Sequence, residues 1–276
     1  MAQEKIISHT IIYFILIFFM VLFLYPIVWL FINSFKANSE LFASPWSLPK
    51  LLSFDNYVRA LIQGNIGRYF INSLIVAAFV VILSTILSAM AAYGIERLRW
   101  RYSKLVLSIF LLGLTIPSHA TIVPLFTMFN SLRINNTYVA VIIPHIVFTL
   151  PISIFILTGF FRTIPLEMEE AAVMDGYTIT KAFIKIIIPI STPSLVTVAV
   201  ITFITAWNDL LFPQIFLSDP KMMTLPVGLT TFNGRYSTDY VGMIAAVVIT
   251  IIPSIITYSI MHKRIIDGMV AGAVKG

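Results

Sequence analysis

The residues of this 276-residue chain that could do chemistry in water are concentrated in one short stretch. It holds four carboxylates and a turn residue: Glu167, Glu169, Glu170, Asp175 and Gly176. Apolar runs precede and follow it, so these acids interrupt segments that suit a bilayer. Because carboxylates can pair with basic groups of another molecule, we expect this stretch to contact a partner in water. It is called the acidic hairpin (residues 162–185) below.

Composition excludes several kinds of active site. The chain is 59% hydrophobic and 11% charged, and it has no cysteine, which removes disulfides, thiolate metal sites and cysteine nucleophiles. The four histidines lie far apart without ligand spacing, so no metal site is predicted. The apolar runs hold no Lys, Arg, Asp or Glu in their interiors, which argues against proton relays and ion-coupled carriers. An intramembrane enzyme built on His145 and a nearby serine stays formally open, but no motif supports it.

Turn and capping signals predict how the acidic hairpin folds. Pro165 suits the start of a helix, and the acids after it favour the positive end of that helix. Asp175 and Gly176 are turn residues that end the helix, and Thr178 is a suitable N-cap for a second, amphipathic helix. A plain lipid anchor is the alternative, but such anchors carry polar faces rich in Lys and Arg. Protein docking is therefore the favoured interpretation.

Six apolar runs approach the ~20 residues that a helix needs to cross a bilayer. They cover residues 9–32, 69–93, 105–129, 138–161, 186–206 and 240–261. The first is too long for a cleavable signal peptide and is expected to remain as a span. Lys and Arg are more frequent in one set of loops and ends, which predicts that both termini face the cytoplasm. We therefore predict an all-α membrane protein, one domain of six transmembrane helices over residues 1–276, with a cytoplasmic tail at 262–276.

The net charge of +6 suggests a nucleic-acid partner at first sight. The basic residues, however, stand in short loops beside apolar runs, where they act as topology signals. The run Arg97-Leu98-Arg99-Trp100-Arg101 is an example, and we expect it to contact lipid headgroups. No nucleic-acid binding is predicted.

Small residues recur every four positions on two of the predicted spans. The two ladders are Ser84, Ser88 and Ala92, and Gly242, Ala246, Thr250 and Ser254. Small side chains let bilayer helices approach each other closely. The ladders therefore predict helix packing, within this chain or with a partner, and a pore lining is the alternative.

The acidic hairpin also carries a specific sequence pattern. It reads Glu170-Ala171-Ala172, Asp175-Gly176, Phe183, Ile186 and Pro189. This pattern resembles the EAA loop of bacterial ABC importer permeases. Further stretches are similar to the carbohydrate-uptake branch of that family, and within it to the shorter permease subunit of the maltose-transporter type. They are residues 34–36, 55–57, 206–209, 217–220, 224–229 and 271–276. One departure is Tyr177, because the family usually has a small residue there.

The resemblance implies that the acidic hairpin is a coupling helix seated in a cleft of a cytoplasmic ATPase subunit, which is one of a dimer. The docking residues would be Glu170, Ala171, Ala172, Asp175 and Gly176, with Gly272, Lys275 and Gly276 of the tail between the ATPase subunits. The chain has no phosphate-binding loop of its own, so it would be no enzyme and would bind no cofactor. The partner ATPase would use ATP and Mg, and its closure would turn the spans from inward-facing to outward-facing.

The resemblance also implies a second homologous permease subunit, a sugar substrate and a bacterial cell membrane as the location. On the outer side it implies a solute-binding protein. The loop that probes the binding-protein cleft would include Phe232, Asn233 and Tyr236. A merely hydrated turn fits these residues equally well. Candidates for the sugar's path are Trp207, Asn208 and Asp209. The scarcity of charged residues near the path favours a neutral di- or oligosaccharide. The alternative function, a pore or secondary carrier that acts alone, would give the acidic hairpin no role.

Overall fold

Helices make up the regular structure of the described chain. A computed structural model describes residues 2–98, 100–230 and 239–273, and no strand occurs in these ranges. In chain order the α-helices of this part are α1 (Ala2–Asn33), α2 (Asn38–Ala43), α3 (Asp55–Ile62), α4 (Ile66–Glu96), α5 (Ser103–Leu112), α6 (Ile122–Ser131), α7 (Tyr138–Phe161), α8 (Glu167–Met174), α9 (Ile179–Ala182), α10 (Ile188–Ile190), α11 (Thr192–Trp207), α12 (Leu211–Phe216), α13 (Leu225–Thr230) and α14 (Tyr240–Ala273). Short 3-10 turns occupy Gly113–Thr115, Ser118–Thr121 and Pro220–Met222, and one π-helical turn occupies Phe183–Ile187.

Several of these helices are long and apolar enough to cross a membrane. Among the described residues they are Ile11–Asn33, Ile66–Glu96, Tyr138–Phe161 and Tyr240–His262. Two bent pairs raise the number from four to six if each pair is one span: Ser103–Thr115 with Ser118–Ser131, and Ile179–Ile190 with Thr192–Trp207. The prediction of an all-α membrane protein with several spans is confirmed.

The third and fifth predicted spans are not continuous helices. The helix pair of the third span is bent by 89°, and that of the fifth by 77° at Ser191. Ile116 lies at the first bend with φ −83° and ψ 115°, which is the extended conformation favoured before a proline. Pro189 and Pro193 flank the second bend, and a proline cannot donate the backbone hydrogen bond that a continuous helix requires.

The described chain forms two compact units. The first consists of the described parts of residues 1–68 and 228–252, and the second of those of residues 69–227 and 253–276. The small apolar core of the first unit comprises Leu41, Val241 and Ile244, with Trp29 and Leu30 packed against them.

Asp239 organises the polar part of the first unit. Its Oδ1 accepts hydrogen bonds from the backbone N–H of Gly242 at 3.0 Å and from the amide of Asn38 at 3.1 Å. Arg59 donates to Oδ2 of Asp239 at 3.3 Å and to the side chain of Asn56 at 2.6 Å. Burial would raise the pKa of the Asp239 carboxyl, but these hydrogen bonds and the charge of Arg59 outweigh burial and hold its pKa below the usual value. Asp239 thus caps the start of α14 as a carboxylate.

The core of the second unit combines buried residues of α4 and α7 with Ile164, Ile187 and Val198. Ser84, Ser88 and Ala92 are fully buried, each with 0% exposed surface. The hydroxyls of Ser84 and Thr149 share a buried hydrogen bond of 2.9 Å between the two helices. The first small-residue ladder therefore packs within the chain, as predicted.

Candidate docking and transport site

The acidic hairpin, in the second unit, is a helix, a tight turn and a second helix. Helix α8 ends at Met174, and Gly176 follows with a positive φ of 79°. The N–H of Gly176 donates to the carbonyl of Val173, and that of Tyr177 donates to the carbonyl of Ala172, both at 2.9 Å. This pair of hydrogen bonds is a Schellman motif, and its left-handed position favours glycine. The predicted turn at Gly176 is confirmed.

The second helix of the hairpin, α9, begins as its sequence predicts. Thr178 is extended, and its hydroxyl accepts a hydrogen bond from the N–H of Lys181 at 3.3 Å. The ammonium of Lys181 lies 3.9 Å from the ring centre of Tyr177, a cation–π distance. The aromatic side chain that departs from the family pattern thus contacts the adjoining helix.

Most of the predicted docking residues are exposed. Glu170, Ala171, Asp175 and Gly176 are exposed, whereas Ala172 is buried against this chain with 4% of its surface exposed. Large apolar side chains lie beside them, with exposed fractions of 88% for Met174, 57% for Ile179 and 55% for Val173. A surface that combines carboxylates with exposed apolar groups suits contact with another protein.

Arg97 contacts the acidic hairpin, and the sequence analysis did not predict this contact. Its side chain is 4% exposed and forms an ion pair with Glu169 of α8. The prediction that this arginine contacts lipid headgroups is therefore wrong, because the guanidinium is buried inside the protein. Arg97 directly follows the last residue of α4, so its position on the final turn of a span was the available signal.

At the opposite end of α7, the chain after α11 folds into a cap segment (residues 209–227). Asn136 has a positive φ of 59°, and its side-chain oxygen accepts the N–H groups of Ser218 and Asp219, both at 2.9 Å. The amide of Asn72 donates to the carbonyls of Lys221 and Met223, also at 2.9 Å. The cap segment is thereby fixed to the ends of α4 and α7.

The predicted path residues, at the end of α11 and the start of the cap segment, occupy different environments. Trp207 is fully buried between Phe70 and Phe203, with ring centres 5.3 and 5.5 Å away. In this conformation it presents no surface to a solute. Asn208 is exposed, and its side-chain amide donates a hydrogen bond to the carbonyl of Ile204 at 2.9 Å.

Asp209, the third predicted path residue, meets His145 of α7. Nε2 of His145 lies 3.2 Å from Oδ2 of Asp209. This distance is short enough for an ion pair, but the angle does not suit a hydrogen bond. The same carboxylate accepts the N–H groups of Leu211 and Phe212 at 3.2 and 3.1 Å, which starts α12. The pair was missed because its partners lie 64 residues apart in the sequence. The sequence did offer a signal for this pair, because His145 lies inside one predicted span and Asp209 lies just beyond the end of another.

The structure does not test the roles of some predicted site residues. Phe232, Asn233, Tyr236, Lys275 and Gly276 lie outside the described residues. Gly272 falls in the last turn of α14. Their assigned roles stay predictions.

Apolar span helices, an exposed acidic hairpin at one end and a fixed cap segment at the other define a multi-span membrane protein with a polar surface outside its spans. The comparison of the chain with known families gives the particular family. The chain belongs to the binding-protein-dependent transport system inner membrane components, whose family profile matches residues 84–267.

Similar proteins extend this result over nearly the whole chain. The trehalose transport system permease protein SugB of Mycobacterium tuberculosis is 37% identical over 92% of this chain and 93% of its own length. The trehalose/maltose transport system permease protein MalG of Thermococcus litoralis is 32% identical over 99% of both chains. A chain in the crystal structure of a bacterial ABC transporter that imports the acidic polysaccharide alginate has the same fold. Its TM-score is 0.84 at 22% identity, over 94% of this chain and 97% of that chain.

Family membership confirms several predictions. The chain is a membrane-spanning permease of a binding-protein-dependent ABC importer, a transport component and not an enzyme. Its family works with an ATPase and a solute-binding protein. The resemblance first noticed in the acidic hairpin therefore identified the correct family.

Proposed function

We propose that this permease moves a neutral di- or oligosaccharide into the cytoplasm, driven by ATP and Mg in a partner ATPase dimer. Relatives named for trehalose and maltose transport support the substrate class. The uncharged interiors of the predicted spans also suit a neutral solute, because a charged solute would need compensating charges along its path.

The acidic hairpin is the proposed ATPase contact, and its exposed surface is the observation that carries the proposal. The carboxylates of Glu170 and Asp175 stand beside the almost fully exposed side chain of Met174. Carboxylates offer pairing with basic groups of a cleft, and the apolar groups gain by burial in it. In the tail, Gly272, Lys275 and Gly276 are proposed to reach between the two ATPase subunits.

Transport follows from this contact by alternating access. ATP closes the ATPase dimer, the acidic hairpin moves with it, and the spans change from inward-facing to outward-facing. Both termini lie in the cytoplasm on this proposal, on the same side as the hairpin. On the outer side Phe232, Asn233 and Tyr236 contact the solute-binding protein, and the region of Asn208 and Asp209 adjoins the path.

A second homologous permease completes the proposed membrane part. Its contact is supported by the large apolar surface that the described chain leaves exposed. None of residues 11–32 of α1 is buried within the described chain. In the second unit an apolar cavity of about 450 Å³ lies between α4, α11 and α14, with Ala78, Phe203 and Thr257 in its lining.

Cysteine cross-linking tests the docking contact cleanly, because the chain has no cysteine of its own. We expect Met174→Cys, in the assembled importer, to cross-link to the ATPase and the link to change in yield when ATP is added. Ser131→Cys is the matched control, since Ser131 is also exposed but lies at the end of α6, far along the sequence from the hairpin. Capture of lipid alone by the cysteine at 174 would refute the docking proposal.

A further inference from the structure

Arg97 joins three segments of the second unit at the base of the acidic hairpin. Its Nε donates to Oε2 of Glu169 at 2.6 Å, and its Nη2 contacts the same oxygen. Its Nη1 donates to the carbonyls of Phe161 and Ile164 at 3.1 and 2.8 Å, and Nη2 reaches that of Pro165 at 3.4 Å. One side chain at the end of α4 therefore holds the end of α7 and the start of α8.

The chemistry of this junction is specific to arginine. The carbonyls at the end of α7 are the negative end of a helix, and several of them lack partners within that helix. A guanidinium has five donors in a planar fork, so it can serve these carbonyls and a carboxylate at once. A lysine ammonium is a single point charge on a flexible stem and cannot cover the same set of acceptors.

Close packing does not replace this polar link. Helix α8 buries only Ala172 among its residues. Arg97 lines two cavities at its sides, one of about 650 Å³ with Tyr93 and Glu169 in its lining, and one of about 400 Å³ with Thr163 and Glu167. Two side chains at or just beyond the end of α4 hold Glu169 of α8: Arg97 through the ion pair and Tyr93 through a hydrogen bond.

The other end of the hairpin connects to the membrane through a bent route. After α9 the chain makes a π-helical turn at Phe183–Ile187, continues through α10 and then bends by 77° before α11. A π-helical turn and a sharp bend interrupt the regular helical hydrogen bonding, so this route to the membrane is not one straight helix. This second route also packs against α4, because the ring centres of Phe183 and Tyr93 lie 4.6 Å apart and Ile187 is fully buried.

We propose that Arg97 is the positioning residue that transmits movement of the acidic hairpin to α4 and α7. The proposal rests on the proposed docking of this hairpin to the ATPase and names the residue that carries the movement onward. Arg97 does not contact the ATPase itself in this scheme, since its side chain is buried behind Glu169.

The test uses the complete importer in lipid vesicles, with Met174→Cys as the reporter of docking. Arg97→Met and Glu169→Gln each remove one charge of the pair at nearly constant side-chain volume. We expect both variants to keep the cross-link and ATP hydrolysis within about twofold, while sugar moved per ATP falls at least about tenfold, as for loss of a buried ion-pair partner. Arg97→Lys keeps the charge without the fork, and an intermediate ratio is expected.

Arg162→Met is the matched control. Arg162 pairs with Glu96 at the same end of the unit through Nε at 2.9 Å, but its side chain is 67% exposed. Removal of this exposed pair is expected to leave the coupling ratio within about twofold of the original protein. The control separates loss of any nearby arginine from loss of the buried link.

Two outcomes would overturn the role of Arg97. One is normal coupling in both Arg97→Met and Glu169→Gln; the other is loss of the cross-link in these variants, which would make the pair part of docking. If Arg97→Met does not assemble, Glu169→Gln alone decides between them. Failure of the unmodified hairpin to cross-link would instead refute the proposed docking function, so the two failures are distinguishable.

Discussion

Gly176 is the residue on which the shape of the acidic hairpin depends most directly. Proline fixes φ near −65° and has no N–H, so it can adopt neither the φ of 79° nor the hydrogen bond to Val173. We expect Gly176→Pro to leave membrane insertion intact while sugar uptake per ATP falls by about tenfold or more, equivalent to ~1.4 kcal/mol of lost coupling. Uptake and ATP hydrolysis in reconstituted vesicles measure this ratio.

Asparagine at the same position provides the control for Gly176→Pro. A Cβ at this residue would meet no atom within 4 Å, and asparagine adopts positive φ more readily than other residues with a side chain. Gly176→Asn should therefore retain most of the coupling. Sugar accumulation at the original rate in Gly176→Pro would contradict a coupling role for this turn.

Asp239 gives a pH-dependent prediction at a site outside the spans. Loss of its cap in Asp239→Ala should lower stability at pH 7 by about 1 kcal/mol, visible in the thermal unfolding midpoint in detergent. Because the folded pKa of Asp239 is lowered, its contribution is complete above the unfolded pKa near ~4 and is lost as pH falls through the folded pKa. The difference between the two proteins should therefore shrink below about pH 4.

Asn is the informative comparison at position 239, because its side-chain oxygen can cap a helix without charge. Asp239→Asn should keep much of the stability at pH 7, and this residue's share of the pH dependence should disappear. An unchanged acid profile in Asp239→Asn would show that another carboxylate controls it.

At the level of elements, helix α8 packs one side against the rest of the chain and leaves its other side exposed. Ala172 is buried while its neighbour Ala171 is exposed. We expect Ala172→Leu to destabilise the isolated permease by about 1–3 kcal/mol through overpacking, whereas Ala171→Leu should leave its thermal midpoint nearly unchanged. Equal midpoints for the two variants would mean that α8 is not seated as described.

The helical elements also show what sequence reasoning could and could not reach. The turn at Gly176, the cap at Thr178 and the packing of Ser84 were predictable because each depends on neighbours close in sequence or on helical spacing. The bends of the third and fifth spans had local signals in their prolines, but hydropathy alone treats such runs as straight. Arg97 with Glu169, and His145 with Asp209, join distant segments, so only tertiary structure brings them together.

At the scale of the whole molecule, the permease combines fixed parts with an exposed acidic hairpin. The cap segment is held by Asn136 and Asn72, and the base of the acidic hairpin is held by Arg97. Between these two ends, the spans are interrupted by two sharp bends. Rigid ends joined by bent helices suit rigid-body rotation of segments better than a continuous open channel.

The proposed substrate class can be tested in the assembled importer. In vesicles that contain the permease, the proposed second permease and the ATPase, with the solute-binding protein outside, unlabelled trehalose or maltose should compete with uptake of a labelled neutral disaccharide. A phosphorylated sugar should compete poorly, because the predicted span interiors offer no cation to balance its charge. Vesicles with the permease alone are the control and should accumulate nothing. Stronger competition by the phosphorylated sugar than by the disaccharides would exclude the neutral substrate class.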